Sequence, residues 1–192
     1  MGKIKLISLL TIAVVAALAS AVPAVASAAE WTYEEEPLGE STGVELEGTM
    51  GFNWGAAGNL ACDVTATAEL NPGDEGEITS WDVENCSSAG MWGGCQLASD
   101  MADLPWPMVA RDEDILVQDP SFEWTFAPGT GCNWPWMSFS GSEMVMTPDN
   151  PERISEVHAE GMMMVETLLG TFEGLYAGKL TVDPPEVYGV TG

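Results

Sequence analysis

The sequence predicts an exported all-β domain, an antiparallel β-sandwich of about eight or nine strands, with a closed β-barrel as the alternative. Apolar and polar residues alternate along many short segments, and this period of two is typical of half-buried strands. Gly, Pro, Asn and Asp separate these segments at short intervals. All four cysteines follow an N-terminal export signal, and an even number outside the cell favours two disulfides.

The first 28 residues have the three parts of a secretory signal peptide. Lys3 and Lys5 form the positive region, an apolar run follows, and Ala26-Ser27-Ala28 is a small-x-small cleavage site. We therefore expect a secreted, extracellular protein with no membrane span after cleavage. The expected organisation is a signal peptide at 1–28, an acidic flexible lead-in at 29–43, a single β-domain at 44–183 and a flexible tail at 184–192.

The charge of the exported part is strongly negative. It keeps three basic residues, Arg111, Arg153 and Lys179, against 30 acidic ones. Such a surface repels nucleic acid and anionic membranes, so neither is an expected partner. Hydrated carboxylates also keep a protein soluble, and this is the simplest interpretation of the charge.

A predicted β-hairpin over Leu60–Cys95 organises the domain. Even-numbered positions from Leu60 to Leu70 are apolar, and the odd-numbered ones are mostly polar, before an Asn71–Gly76 turn. A turn centred near Gly73 places Cys62 almost opposite Cys86, which favours Cys62–Cys86 with Cys95–Cys132. Cys86 has outward parity in its strand, so this pairing requires a bulge or the strand's end there. The alternative pairing is Cys86–Cys95 with Cys62–Cys132.

The remaining strands follow in order along the chain. A proline-containing corner, Asp103–Pro107, is not expected in a central strand, because proline removes a ladder donor. The segment Ile154–Thr167 fits either an amphipathic helix or a strand, and its alternating neighbours favour a strand. The other predicted strands are Val44–Trp54, Gln96–Ser99, Met108–Ala110, Ile115–Gln118, Ser121–Phe126, Trp134–Met146 with a bend at Gly141, and Thr171–Val182.

Several short motifs together resemble a known group of proteins. They are the signal peptide, the cysteine-bearing strand, Ile78-Thr79-Ser80 before Cys86, the Leu104-Pro105-Trp106 corner and the closing Gly178–Val182 segment. This combination resembles small, uncharacterised secreted all-β proteins of actinobacteria. The resemblance implies secretion, disulfides and a β-domain, and it carries over no activity, ligand or catalytic residue.

No catalytic residue is predicted. His158 is the single histidine, and no G-x-S-x-G motif is present. On a strand, Glu156, His158 and Glu160 would align on one face and offer oxygen and imidazole ligands to a divalent metal. Three consecutive ligands on a flat strand rarely converge on one ion, so we expect a hydrated outer face, with no metal and no cofactor.

Tryptophan provides the better candidates for a binding surface. The chain has eight, and we expect Trp81, Trp106 and Trp124 to be core residues. The candidate ligand-binding residues are Trp92, Trp134 and Trp136, because exposed aromatic rings stack on sugars and peptides. The three consecutive methionines Met162–Met164 are interpreted as core-filling residues or as a soft contact surface.

The sequence therefore predicts a secreted, strongly acidic, non-enzymatic binding or envelope-associated module. A cell-wall polysaccharide or another protein is the candidate partner. The alternative is a secreted, glycosidase-like hydrolase that uses paired carboxylates, although 30 acidic residues make pairs of carboxylates inevitable.

Overall fold

The computed structural model describes residues 29–55, 58–90, 93–127, 132 and 135–191. The signal-peptide segment lies outside the described residues. No helix in the described part of the chain has the length and apolar character needed to cross a membrane. The described residues form fourteen strands: β1 Glu30–Tyr33, β2 Glu36–Pro37, β3 Thr42–Asn53, β4 Gly58–Leu70, β5 Glu75–Gly90, β6 Leu97–Ala102, β7 Trp106–Arg111, β8 Asp114–Gln118, β9 Ser121–Phe126, β10 Trp136–Ser140, β11 Glu143–Pro148, β12 Glu156–Thr167, β13 Gly170–Asp183 and β14 Tyr188–Thr191.

Eight of the described strands close into an antiparallel barrel. Their order is β3, β4, β5, β7, β8, β11, β12 and β13, and β13 pairs with β3 to complete the ring. Closure depends on β11, which pairs with β8 on one side and β12 on the other. The all-β prediction is confirmed, and the architecture is the closed barrel that was the alternative to a sandwich.

Three further strands extend the wall at one end of the barrel. The first half of β12 pairs with β11, and its second half pairs with β10, which continues into β9 and β6. On the opposite side, β5 pairs with β7 near its start and approaches β6 further on. There the carboxylate of Asp100 accepts a hydrogen bond of 3.0 Å from the backbone N–H of Val83. Strands β5 and β12 thus belong to the closed barrel along their first part and border β6 and β10, respectively, along their second part.

The barrel interior is filled by its own side chains. At the end walled by β6, β9 and β10, the ring centroids of Trp124 and Phe139 are 4.4 Å apart. Phe52 meets Trp124 edge-on at 4.9 Å. The other end is lined by aliphatic and methionine side chains around an apolar cavity of about 30 Å³. An apolar cavity known to bind benzene has a volume of roughly 150 Å³, so this cavity is small for an organic ligand.

The chain termini close the aliphatic end of the barrel. Strand β1 pairs with β14 on one side and β2 on the other. Trp31 is only 2% exposed, and its indole N–H donates to the carbonyl of Glu75 at 3.0 Å. Strands therefore occupy parts of the segments 29–43 and 184–192, which we expected to be flexible. Burial of Trp31, Tyr188 and Val190 outweighs the repulsion between neighbouring acidic residues.

The central hairpin and both disulfides have the predicted arrangement. Strands β4 and β5 form the hairpin, and the bonds are Cys62–Cys86 and Cys95–Cys132. The register shifts between Ala61 and Asp63, and Asn85 has a φ of 50°. This bulge turns Cys86 toward Cys62 and resolves the parity conflict in the sequence.

Other predicted segments differ in detail. The segment Ile154–Thr167 was expected to be a strand rather than a helix, and it contains the strand β12, Glu156–Thr167. The predicted strand Trp134–Met146 is divided near Gly141 into β10 and β11. The corner after Asp103 ends earlier than expected, because β7 begins at Trp106 and includes Pro107. Pro107 has a strand neighbour only in β5, since β8 pairs with β7 from Met108 onward.

Candidate functional site

The hairpin of β12 and β13 carries an exposed apolar surface. Six large apolar side chains between residues 162 and 175 are exposed, whereas the rest of the described chain contributes two, Tyr33 and Met101. Leu168 and Leu169 are the most exposed of the six, at 62% and 71%. We call this surface the apolar tip; its members are Met162, Met164, Leu168, Leu169, Phe172 and Leu175.

The turn at the apolar tip is ordered by its own hydrogen bonds. Thr167 is the register partner of Gly170, so Leu168 and Leu169 form the connection between the strands. The buried Thr167 hydroxyl donates to the carbonyl of Gly170 at 3.1 Å and accepts from the N–H of Leu169 at 3.2 Å. Gly170 provides the positive φ, 123°, that such a turn needs. The two leucine side chains are thus held on a defined backbone.

Strand pairing explains why the turn of the tip lies at the edge of the sheet, since β10 pairs with β12 only as far as Glu166. Strand β3 pairs with β13 only as far as Leu175, so residues 170–174 have β12 as their strand neighbour. Leu175 is also the register partner of Met162, and the two side chains adjoin on the outer surface. The side chain of Met163, between the outward Met162 and Met164, is buried in the barrel.

Two residues in the sequence indicate this surface, although the alternation of apolar and polar residues does not reveal it. Turns between strands are normally polar, with Asn, Asp, Gly or Ser at their central positions. Here Leu168-Leu169 lies directly before Gly170, at the turn itself. Two leucines at the turn between two alternating strands contradict the local preference, and such conflicts are expected at functional sites.

The tryptophan candidates are only partly described. Trp92 and Trp134 lie outside the described residues. Trp136 begins β10, opposite Thr125 of β9, and is half-buried on the outer parity of its strand. Trp81, Trp106 and Trp124 are buried in the barrel, as expected.

Glu156, His158 and Glu160 share the outer surface of β12. Lys179 of β13 is the register partner of His158 and forms an ion pair with the carboxylate of Glu156. Within the described ranges, no group of three or more His, Cys, Asp or Glu side chains is arranged to hold a metal ion. The strand therefore presents an ion pair and a neighbouring imidazole.

An acidic, open depression lies beside the turn between β7 and β8. Asp112, Glu113, Asp114 and Glu143 line it together with Arg111. Asp114 accepts a hydrogen bond of 2.7 Å from the hydroxyl of Thr147, and both side chains are exposed. The depression is open, so its carboxylates remain in contact with solvent.

Comparison with known proteins gives one match. A protein-family model described as "Alkane oxidation protein activator PraA/PraB-like" matches residues 1–150. The match covers the chain from the signal segment to the end of β11, and it leaves β12–β14 outside. It gives a described family, whereas the sequence motifs resembled uncharacterised proteins. No curated protein and no solved structure matches the chain.

Proposed function

The chain belongs to the family of PraA/PraB-like alkane oxidation protein activators, and from this we propose that it is an exported, non-enzymatic protein that promotes alkane oxidation by binding. The observation that carries the proposal is the family match over 150 residues. An activator changes the supply or accessibility of a substrate, or the state of an enzyme, without itself carrying out the oxidation.

The predicted signal peptide and the two disulfides support the proposed location outside the cytoplasm. Both disulfides are formed in the fold, and disulfides persist in oxidising compartments. Alkanes are poorly soluble in water, so oxidation by cells depends on contact between cell and hydrocarbon. An acidic protein outside the cytoplasm is positioned to act on that contact.

The contents of the barrel favour binding on its outer surface. The cavity of about 30 Å³ has no room for an alkane chain, and aromatic side chains fill the other end. The exposed apolar tip is the described surface whose chemistry suits an apolar partner.

A complementation experiment tests the proposed function. A strain that lacks the protein is grown on n-hexadecane, with and without added exported protein, and the hydrocarbon consumed is measured. We expect faster consumption with the protein and no change for growth on acetate, which is soluble. Equal consumption of n-hexadecane with and without the protein would contradict the proposal.

The hydrolase alternative has a different outcome. Protein incubated without cells would then release product from a polysaccharide substrate, and replacement of a carboxylate pair would abolish this release. An activator leaves both polysaccharide and n-hexadecane chemically unchanged when no cells are present. Chromatography of the cell-free incubations distinguishes the two functions.

The tryptophan surface remains a second proposed contact. Trp136 is half-buried on the outer side of β10, and Trp92 and Trp134 complete the candidate set. A pull-down with cell-wall polysaccharide, using Trp136→Ala with Met101→Ser as the surface control, tests it. Equal recovery of both variants and the parent protein would remove Trp136 from the contact.

A further inference from the structure

We propose that the apolar tip is the surface through which this protein adsorbs to a liquid hydrocarbon phase. The inference rests on the proposed function and deepens it by naming the contact surface and its ligand. The ligand class is neutral, saturated hydrocarbon at an interface with water. Leu168 and Leu169 supply the contact at the turn, flanked by Met162, Met164 and Leu175 on the outer face of the hairpin and by Phe172 on the opposite face.

The chemistry of the tip matches hydrocarbon. Its side chains have no strong hydrogen-bond donor or acceptor, and an alkane offers none in return. Leucine, methionine and phenylalanine gain free energy simply by leaving water. Tyr, Trp and Arg, which dominate the contacts of protein interfaces, are absent from these six positions.

The surrounding charge disfavours lipid headgroups. Glu166 and Glu173 lie on the exposed faces of the same two strands, and the whole chain carries a net charge of −25. Anionic vesicles therefore repel the protein, whereas a droplet of alkane carries no headgroup charge. Glu173 is the register partner of Met164, and Glu166 lies between Met164 and the turn, so the Leu168-Leu169 turn enters the apolar phase while these two carboxylates stay at its boundary with water.

The backbone of the tip also suits this role. Residues 170–174 continue beyond the last pairing with β3, and β10 pairs with β12 as far as Glu166, so the Leu168-Leu169 turn lies beyond both neighbouring strands. The Thr167 hydroxyl satisfies the N–H of Leu169 and the carbonyl of Gly170. Entry into hydrocarbon thus leaves these turn groups paired, and an ordered turn loses little conformational entropy on adsorption.

Adsorption to n-hexadecane droplets provides the test. The exported protein, with its disulfides formed, is mixed with droplets, and the protein left in the water phase is measured. The test variant is Leu168→Ser with Leu169→Asn, which introduces residues that turns accept and leaves the charge unchanged. We expect adsorption to weaken roughly 100-fold, since loss of each leucine contact corresponds to about tenfold.

The controls separate the tip from general hydrophobicity and from misfolding. Met101→Ser removes an exposed apolar side chain from β6, 68% exposed, and should leave adsorption unchanged. A second variant, Met162→Ser with Leu175→Ser, changes the neighbouring outward pair without altering the turn, and it should also weaken adsorption. Thermal unfolding of each variant confirms that the barrel is intact.

Several outcomes would overturn the inference. Equal adsorption of the parent and both tip variants is one. Stronger binding to phosphatidylcholine or phosphatidylglycerol vesicles than to droplets would replace hydrocarbon with lipid. Absence of adsorption, together with dimers of the parent that the tip variants do not form, would make the tip an interface between copies.

The inference and the proposed function can fail separately. If the parent and the turn variant raise n-hexadecane consumption and adsorb equally, the activator function stands and the apolar tip is not its contact surface. If adsorption depends on Leu168 and Leu169 but consumption never changes, the tip assignment stands and the activator function falls.

Discussion

Tyr176 lies directly across the sheet from Gly161, and its ring covers the position where a side chain at 161 would project. A Cβ atom built on Gly161 would be 2.7 Å from Cζ of the tyrosine. Glycine at this position of β12 therefore makes room for a large buried ring contributed by β13.

Substitution of Gly161 by alanine is expected to destabilise the barrel. The methyl group would displace the buried Tyr176 ring, and overpacking of this kind costs about 1–3 kcal/mol of unfolding free energy. Urea unfolding measures the change. Gly43→Ala is the matched control, because nothing lies within 4 Å of a Cβ there. An unchanged midpoint for Gly161→Ala would show that the ring moves without cost.

Tyr176 should also make stability fall in alkaline solution. Burial raises the pKa of Tyr176 to about 12, and the carboxylates of Glu143 and Glu160 add to the increase. Below pH 10 the phenol is neutral in both states. Between pH 10 and about 12 only the unfolded state ionises it, so unfolding becomes easier as pH rises.

The measurement is unfolding free energy from pH 9 to 12, with tyrosinate absorbance recorded in parallel. Tyr176→Phe should show a smaller decrease in stability over this range and lose the highest-pH part of the absorbance change. A titration of that tyrosine near pH 10 in the folded protein would contradict the prediction.

Asp149 is expected to stabilise the loop before β12 in its ionised form. Partial desolvation raises its pKa, but hydrogen bonds from the N–H of Glu156 and from the hydroxyl and N–H of Ser155 outweigh it, so the pKa is lowered. The stabilisation is present above the unfolded-state pKa, near 3.8, and is lost as pH falls through the lower folded-state value.

Asp149→Asn should therefore reduce stability at neutral pH by less than about 1 kcal/mol, because solvent screens the exposed carboxylate, with a smaller difference from the parent below pH 3. Urea midpoints at the two pH values provide the test. Asp112→Asn, in the exposed turn between β7 and β8, is the control for loss of one negative charge. An equal effect of both substitutions would assign the change to net charge.

Removal of either disulfide should cost about 3–4 kcal/mol of unfolding free energy, because the reduced unfolded chain gains entropy. Cys62 and Cys86 are separated by 24 residues and Cys95 and Cys132 by 37, so the chain-entropy model gives similar costs. Paired Cys→Ser variants and thermal unfolding measure them. A loss of unfolding free energy below about 1 kcal/mol for both pairs would indicate that the reduced, unfolded chains remain compact.

Strand positions and one covalent link were predictable because they depend on local pattern. Alternation from Leu60 to Leu70 placed β4, and the position of the Asn71–Gly76 turn placed Cys62 opposite Cys86. Alternation shows which side of a strand is buried, but it does not show which strands meet. Barrel closure depends on the pairing of β11 with β8 and with β12. Strand β8 is distant from β11 in sequence, and a loop separates β11 from β12.

The terminal strands and the apolar tip were not predicted for a different reason. Acidic composition indicated flexibility around Trp31, but burial of one indole against the barrel end outweighs local repulsion. No surface was predicted at Leu168 and Leu169, whose side chains the turn between β12 and β13 exposes. Tertiary contacts order the segment around Trp31. The turn that joins β12 to β13 exposes Leu168 and Leu169.

Pairing of β1 with β14 brings the described first and last strands together at the pole where β12 begins, and the Leu168-Leu169 turn lies where β12 ends. Strands β1 and β14 and the Leu168-Leu169 turn therefore lie at opposite ends of the barrel. A fusion or tether joined at either terminus would hold every copy in the same orientation, with its leucines directed away from the support. Immobilised protein of this kind would expose its Leu168-Leu169 turns to the solution in one common orientation.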